Sequence, residues 1–461
     1  MQVVKVARRR KPLKIALIFV LSLVAIIAVA IIVLRLFGDR FGLHRVNASQ
    51  MRTMDFSSVE MYPQSFATDA LYLVRFVEEN HPIFVLDDWL PDDYEVIRDK
   101  FLAYTRNESI TQTDFVFAMM EYIVTLRDGH MNQLWYDESD LLDINWQELD
   151  GRLFLTGEDG GITSTEVLEI GGVPVSQVFS VIDRYYYSEN EAARHTSHSL
   201  FSRLSVVVER AGGMVTNDGI QILVSDNGET MTKDITFFER SREREFIIRH
   251  EIIDDVFLID LRTFFADYSD IADTVRYIED AVAGGTRKFI VDLRGNGGGS
   301  SWIGQRLLSA MGITIPQFGA LIRTSPVEIE HGGMWHFSIL NFLGIDYVTM
   351  SPSASSNNPN DVFVSVLTDA ASFSSAMWMA TWAQDGGFGN VIGSPSRNAP
   401  TSFGNVLWHT LPYSGVSLPV SRTQWLRPDE NADPLVLMPD ILVDPVSAME
   451  VALEYLQNLE N

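Results

Sequence analysis

The 461-residue chain contains no cysteine, and this absence excludes several classes of protein. Without thiols there is no disulfide framework, no thiolate nucleophile and no cysteine-ligated zinc or iron–sulfur site. Basic residues are also few, since 35 Lys and Arg stand against 61 Asp and Glu, a formal net charge of −26. Such a chain repels phosphate backbones, so no nucleic-acid partner is expected. With 46% hydrophobic residues, it is predicted to be globular, with roughly two to four domains.

The few basic residues are unevenly placed. Residues 1–46 hold nine of them and one acid, which leaves a net charge of −34 on the remainder. Residues 15–34 form an uninterrupted uncharged run, long enough to cross a hydrocarbon core of about 30 Å as one helix. The excess of Lys and Arg before this run predicts a cytoplasmic segment over 1–14, a transmembrane anchor over 15–36 and an extracytoplasmic remainder. A cleaved signal peptide, cut after Ala28-Val29-Ala30, stays open as the alternative.

The first part of the exported chain reads as helical. Residues 37–64 lack periodicity and are predicted to form a stalk. Apolar stripes that begin after Ser65 and after Thr113 predict a helical cap over residues 65–130. Its second helix is expected to end at Gly129, because glycine is a common helix stop.

The pattern then changes to short strands. Residues 131–250 alternate between β-rich runs and Gly, Asp and Asn turns, which predicts a β-rich middle domain with a helix near Val175–Tyr187. His195 and His198 lie three residues apart within it, but no further ligand completes a set, so no metal site and no cofactor are predicted. From residue 251 to 461, apolar strands alternate with helical stripes, which predicts an α/β core of parallel strands whose end loops carry chemistry.

Two of those loops are candidates for chemistry. The run DLRGNGGGS at 292–300 follows a strand, and its glycines free backbone amides to face an anion, as in a phosphate cradle or an oxyanion hole, unless it is a tight turn. Neither the Rossmann nor the Walker spacing is complete. The run SFSSA at 372–376 opens a helix, where a serine acts either as an N-cap or as a nucleophile. A serine nucleophile needs a base, and His130, after Gly129 at a helix end, is a candidate.

Four runs carry a resemblance to a known family: LRDGH (126–130), VLEIGGVPV (167–175), DLRGNGGGS (292–300) and SFSSA (372–376). In this order they resemble the carboxyl-terminal processing (tail-specific) serine protease family, and most closely its branch with the tricorn core protease and retinoid-binding relatives. The resemblance covers roughly residues 65–445. It implies an α/β fold, with a Clp protease/crotonase-like core over 251–461 beneath a helical cap. A PDZ-like module in the middle domain is at most partial.

The resemblance also implies roles for single residues. Ser374 would be the nucleophile, although Met377 stands where the family has Glu. The family's catalytic Lys would align near Ala399, and no Lys occurs in residues 362–461, so a Ser-Lys dyad is not expected. His130 would serve as the general base instead, as in the tricorn-like branch.

The remaining site residues follow in the same way. The oxyanion hole would use the backbone amides of Gly298 and Ser375. A further acidic member would fall near Glu430 or Asp433, and the choice between them stays open.

The predicted function is that of a membrane-anchored, extracytoplasmic serine endopeptidase that hydrolyses proteins or peptides through Ser374 and His130. The alternative is a catalytically inactive family member that binds peptides or apolar ligands. The presence of a serine, a histidine and a glycine-rich loop together favours the enzyme, because a binding protein has no physical need to combine them.

Overall fold

The computed structural model describes residues 38–46, 52–56, 65–86, 89–132, 141–157, 160–238, 247–325 and 335–459. The predicted cytoplasmic segment and membrane anchor lie outside these residues. Within the described ranges, no helix is long and apolar enough to cross a bilayer.

Part of the predicted stalk is attached to the body of the protein. A 3-10 turn, Gly38–Phe41, precedes the short strand β1 (Leu43–His44). Leu43 pairs antiparallel with Val348, some 300 residues later in the chain. This segment is therefore an edge strand of a sheet rather than a free stalk.

The cap contains three α-helices and two short 3-10 turns before its last loop. Ser65 and Thr111 accept backbone N–H groups in the first turns of two of these helices and cap them. The elements are α1 (Phe66–Asn80), the turn Pro82–Val85, α2 (Tyr94–Tyr104), α3 (Gln112–Ile123) and the turn Val124–Leu126.

The end of the cap differs from the prediction that Gly129 stops its last helix. The chain reverses earlier, at Arg127, whose φ of 53° is left-handed. Gly129 instead begins a new 3-10 turn, Gly129–Met131. The physical reason is the side chain of Asp128, which accepts the N–H of His130 and so starts this turn.

The described part of the middle segment is an antiparallel sheet with three helices rather than one. The elements are β2 (Trp146–Leu149), β3 (Arg152–Thr156), β4 (Ile162–Ile170), β5 (Val173–Pro174), α4 (Val175–Tyr185), α5 (Glu191–Phe201), α6 (Ser205–Arg210), β6 (Ile220–Asp226) and β7 (Glu229–Ile235). The strand order is β2-β3-β4-β6-β7. The last hairpin turns at Asn227-Gly228, both with positive φ, as is typical of a two-residue hairpin loop.

The last part of the chain alternates strands and helices, as expected of an α/β core. The elements are β8 (Ile248–Ile253), β9 (Val256–Leu261), α7 (Tyr268–Ala283), β10 (Lys288–Asp292), α8 (Trp302–Ala310), β11 (Gly319–Arg323), α9 (Trp335–Phe342), β12 (Tyr347–Met350), β13 (Phe363–Thr368), α10 (Ser375–Asp385), β14 (Gly389–Gly393), β15 (Ser402–Thr410), β16 (Ser417–Leu426), β17 (Ile441–Leu442), the turn Pro445–Ser447 and α11 (Ala448–Asn458).

The central sheet brings the two chemistry-bearing loops together. Its order is β17-β14-β13-β10-β9-β8, and strands β9, β10, β13 and β14 run parallel. All five residues of β10 are buried, as is typical of a parallel strand covered on both faces. Asp292 pairs with Leu367, so β10 and β13 end side by side. The glycine-rich loop and the SFSSA turn therefore leave the same edge of the sheet.

A third sheet, which was not predicted from the sequence, packs against the cap helices. It is antiparallel in the order β1-β12-β11-β16-β15. Apolar residues of the cap helices form one buried cluster with Phe403 and Leu407 of β15 and Leu418 and Val420 of β16. This packing sets the cap, and the turn that bears His130, against the central sheet.

Candidate active site

Ser374 lies at the turn between β13 and α10, at the carboxyl edge of the central sheet. Its backbone has φ 54° and ψ −118°, a conformation that costs free energy for any residue with a Cβ. The N–H of Ser374 donates to Oδ1 of Asn398 at 2.8 Å, which stabilises the turn. Because α10 begins at the next residue, the hydroxyl stands at the positive end of a helix. A strained serine at such a turn presents its Oγ for reaction.

The glycine-rich loop packs directly against this turn. At Gly298 a Cβ would lie 2.6 Å from the carbonyl oxygen of Phe373 and 2.7 Å from Cβ of Ser374, so only glycine allows the approach. Two hydrogen bonds join the segments: Phe373 N–H to the Asn296 carbonyl at 2.9 Å, and Ser375 Oγ to the Gly299 carbonyl at 2.6 Å.

The predicted oxyanion-hole donors fit only in part. The N–H of Ser375 has no acceptor within the described part of the chain, so it can serve a ligand. The N–H of Gly298, however, donates to Oδ1 of its neighbour Asn296 at 2.9 Å. The next amide, that of Gly299, meets no acceptor among the described residues and belongs to the lining of the cavity that holds Ser374. The geometry thus favours Gly299 over Gly298 as the second donor.

His130 reaches Ser374 from the cap. Its Nε2 lies 3.2 Å from Oγ of Ser374, a contact that spans 244 residues of sequence. The ring stands beside Gly404 of β15, where a Cβ would come within 3.4 Å of the imidazole Cε1. The two residues predicted to react together are therefore in hydrogen-bond contact.

Asp128 lies behind His130 and was not among the predicted site residues. Its Oδ1 accepts the N–H of His130 at 2.8 Å and is 3.9 Å from the imidazole Nδ1. Its Oδ2 is 3.2 Å from Nε2 of His81, whose Nδ1 accepts the N–H of Ile83, so the His81 Nε2 carries the proton and donates. Burial alone would raise the pKa of Asp128, but the hydrogen bond from His81 and the two imidazoles together hold this pKa below its ordinary value.

The electrostatics keep His130 in the form of a base. Burial lowers the pKa of the His130 imidazole, the carboxylate of Asp128 opposes this, and the nearby charge of Arg397 adds to the lowering. The imidazole is therefore neutral at neutral pH. Nδ1 of the ring makes no hydrogen bond among the described residues and lies 3.9 Å from Asp128 Oδ1. In the tautomer with the proton on Nδ1, the free electron pair on Nε2 faces Ser374 Oγ. This is the arrangement of a general base beside a hydroxyl nucleophile.

A comparison with protein families identifies the core. Residues 255–441, which include Ser374 and the glycine-rich loop, match the family model described as Peptidase family S41. Over these residues the chain is similar to S41 peptidases. It is accordingly a serine peptidase, a hydrolase. His130 lies outside the matched residues, and no curated protein sequence matches the chain.

Solved structures of CPAF share the fold of this chain. A mutant of CPAF has a TM-score of 0.57 at 14% identity, covering 85% of this chain and 96% of that one. CPAF complexed with lactacystin has a TM-score of 0.55 at 14% identity, covering 85% and 97%. Mature CPAF has a TM-score of 0.54 at 14% identity, covering 85% and 95%. The likeness thus extends beyond the matched domain to the cap and the middle segment.

The two acidic candidates from the sequence do not meet His130. Glu430 is exposed, and the exposed carboxylate of Asp433 accepts the N–H groups of Leu435 and Val436 in its own loop. The carboxylates near the imidazole come from Asp128 and from Glu189, which lies between α4 and α5. Asp128 could have been found, because it stands in the same LRDGH run as His130. Glu189 carries no local signal, because its neighbours read as a polar loop.

The positions that depart from the family pattern are also explained. The N–H of Ala399, near which the family's Lys would align, donates to Oε2 of Glu189 at 2.7 Å. Met377 is fully buried in the core, where its Sδ lies 3.2 Å from Oγ1 of Thr381. It therefore packs beneath the nucleophile without facing it.

Asp128, His130 and Glu189 offer ligand atoms within 4.8 Å of one another, close enough to share a cation. Their carboxylate oxygens, however, already accept hydrogen bonds from His81, from backbone N–H groups and from Asn398. The cluster therefore functions as a hydrogen-bond network here. His195 is paired with Glu148, and His198 lies 2.7 Å from Asp183, so the two histidines have separate partners.

A cavity of about 770 Å³ opens beside Ser374 and His130. Its floor is aromatic: Phe318 and Trp378 stack with ring centroids 4.3 Å apart, and Trp425 meets Trp378 edge-on at 4.6 Å. Among the described residues that line the cavity, none is Asp, Glu, Lys or Arg. The space next to the nucleophile is therefore lined by uncharged side chains and has an aromatic floor.

Proposed function

We propose that this serine peptidase is an endopeptidase in which Ser374 is the nucleophile and His130 the general base. The observation that carries the proposal is the 3.2 Å contact between His130 Nε2 and Ser374 Oγ, at a strained turn that begins a helix. The described structure pairs the serine with an imidazole, so the absence of a Lys near Ala399 does not deprive it of a base. Protein or peptide chains are the substrates that this chemistry implies.

The steps follow from the positions of these groups. His130 Nε2 takes the proton from Ser374 Oγ as that oxygen attacks the carbonyl carbon of a peptide bond. The resulting oxyanion is stabilised by the N–H groups of Ser375 and Gly299. His130 then gives the proton to the leaving amine, and an ester to Ser374 remains. A water molecule, deprotonated by His130, hydrolyses the ester and restores the free hydroxyl.

The proposal is tested on the purified chain with an unfolded protein as substrate. We expect hydrolysis, and we expect a fluorophosphonate, which phosphonylates activated serines with loss of fluoride, to block it with one adduct that mass spectrometry locates on Ser374. A chain that neither cleaves nor reacts would instead be the inactive binding protein, and an adduct on another serine would refute the assigned nucleophile.

The aromatic floor of the cavity supports a preference for substrates with a large apolar side chain next to the scissile bond. A charged side chain in this space would lose hydration without gaining an ion-pair partner among the described lining residues. We expect Trp378→Ala to lower kcat/KM about 10- to 100-fold for a peptide with Phe at that position, and by far less for one with Ala, because the lost contact area is apolar.

The control for this variant is Trp408→Ala, since Trp408 is 50% exposed on β15 and is not part of the cavity lining. The preference is measured by the cleavage rates of matched peptides that carry Phe, Ala or Asp next to the scissile bond. Faster cleavage of the Asp peptide than of the Phe peptide by the unmodified protein would refute the preference.

We further propose that residues 15–36 anchor the peptidase in a membrane, with the catalytic part on the extracytoplasmic side. The support is the uncharged run 15–34 and the basic residues that precede it. In membrane fractions washed with alkaline carbonate, the chain should stay with the pellet, and a form that begins at residue 37 should not. A mature N-terminus at residue 31 would support the cleaved signal peptide instead.

A further inference from the structure

Glu189 connects the middle segment to both halves of the reactive pair. Its Oε1 accepts the N–H of Gly129 at 3.1 Å, directly before His130. Its Oε2 accepts Nδ2 of Asn398 and the N–H of Ala399, each at 2.7 Å. Both carboxylate oxygens are thus engaged, by two segments that lie far apart in sequence.

Each of these segments is joined directly to a reactive residue, one by a peptide bond and the other by a hydrogen bond. Gly129 is the neighbour of His130, and a Cβ at Gly129 would lie 2.6 Å from Glu189 Oε1, so the carboxylate is packed tightly against that turn. Asn398 uses its Nδ2 for Glu189 and its Oδ1 for the N–H of Ser374. The carboxylate therefore fixes the base through one peptide unit and the nucleophile through one side chain.

We propose that Glu189 is a positioning residue that sets the separation between His130 and Ser374. This inference rests on the proposed function. It makes the middle segment a part of the reactive site, although that segment lies outside the residues that match the S41 family. Glu189 touches neither the substrate nor the reacting atoms in this role.

The surroundings of Glu189 make its role depend on pH. The charged and titratable groups that face it are Asp128 and His130 from the cap, Arg397 from the loop after β14 and Tyr187 from its own loop. Burial raises the pKa of Glu189 to about 7, the Asp128 charge adds to this, and the three N–H donors oppose it.

The sign of the pH effect follows from the hydrogen bonds. Above pH about 7, the ionised carboxylate accepts all three N–H groups. Below it, an added proton stands on an oxygen that faces donors, and at least one of the three bonds is lost. We expect kcat to fall as the pH drops through about 7, before His130 is protonated, since burial lowers the pKa of that imidazole.

The test compares Glu189→Gln with Glu191→Gln, an exposed glutamate two residues away in α5. In Glu189→Gln, the new side-chain amide would turn its NH₂ group toward the N–H donors of Gly129 or of Asn398. We therefore expect kcat to fall on the order of 10- to 100-fold with KM changed less than about twofold. The limb of the pH profile near 7 should disappear in this variant and remain in Glu191→Gln.

The result for the position-189 variants decides this inference separately from the proposed function. If the unmodified chain hydrolyses an unfolded protein and Glu189→Gln retains its kcat and its pH profile, this inference fails while the proposed function stands. If Glu189→Gln loses its melting transition, the same comparison is made with Glu189→Asp, which keeps the charge but is one methylene shorter. For Glu189→Asp, a wild-type kcat would refute the inference. A lower kcat with unchanged KM, and with the fall in kcat near pH 7 retained, would support it. A chain with no Ser374 adduct and no hydrolysis refutes the proposed function itself.

Discussion

Replacing Ser374 by alanine should lower kcat/KM for an unfolded protein by about 10⁴-fold or more. The variant keeps the cavity, the amides of Ser375 and Gly299, and the base, but it has no atom that can form the ester. We expect the fold to persist, because alanine has the same Cβ as serine at this positive φ and the N–H bond to Asn398 involves only the backbone of residue 374. Hydrolysis of a labelled unfolded protein, with the melting temperature alongside, measures both effects.

The control for this variant is Ser176→Ala. Ser176 is exposed on α4 and does not belong to the lining of the cavity. It should retain activity within about threefold. Residual hydrolysis by Ser374→Ala at the level of Ser176→Ala would mean that another group attacks the peptide bond.

The strand and helix units of the core were predictable because their signals are local. β10 is a short, fully buried run, and the helix after Ser374 begins shortly after the apolar strand β13 ends. Parallel strands place their carboxyl ends at one edge, so the meeting of the glycine-rich loop with SFSSA follows from the pattern. The match of residues 255–441 to the S41 family agrees with that part of the resemblance.

The sheet formed by β1, β12, β11, β16 and β15 was not predictable from local signals. Strand β16 is buried over most of its length, although it includes the polar run Ser421-Arg422-Thr423-Gln424. Such a run reads as a surface loop, because buried polar residues need partners that local sequence does not reveal. The cap packs against β15 and β16, so the contact between His130 and Ser374 depends on packing that the hydrophobic periodicity of the sequence does not indicate.

The carboxylates near His130 were also not predicted from the sequence. The sequence resemblance directs attention to Glu430 and Asp433, downstream of the nucleophile, and both are exposed in the structure. The network is instead built from Asp128, two residues before the base, and from Glu189 in another layer of the fold. A hydrogen bond to a backbone N–H needs no complementary side chain, so the identity of residue 399 does not point to Glu189.

His130→Ala should have the second largest effect, a loss of about 10³- to 10⁵-fold in kcat. Without Nε2 at 3.2 Å, the Ser374 hydroxyl keeps its proton at neutral pH. The double variant His130→Ala/Ser374→Ala should be no slower than Ser374→Ala alone, because the base acts only through that oxygen. The matched control is His195→Ala, since His195 lies in a different cavity and pairs with Glu148.

Added imidazole distinguishes a chemical role of His130 from a structural one. The alanine variant leaves a space between Ser374 and Asp128 in which free imidazole can take the proton, so part of the lost activity should return as its concentration rises. In the unmodified protein, the activity that remains below the limb near pH 7 should be lost as the pH falls further, through the pKa of His130, which burial places below its ordinary value. Rescue that is absent in His130→Ala, together with an additive effect in the double variant, would show that the imidazole supports the fold and does not accept the serine proton.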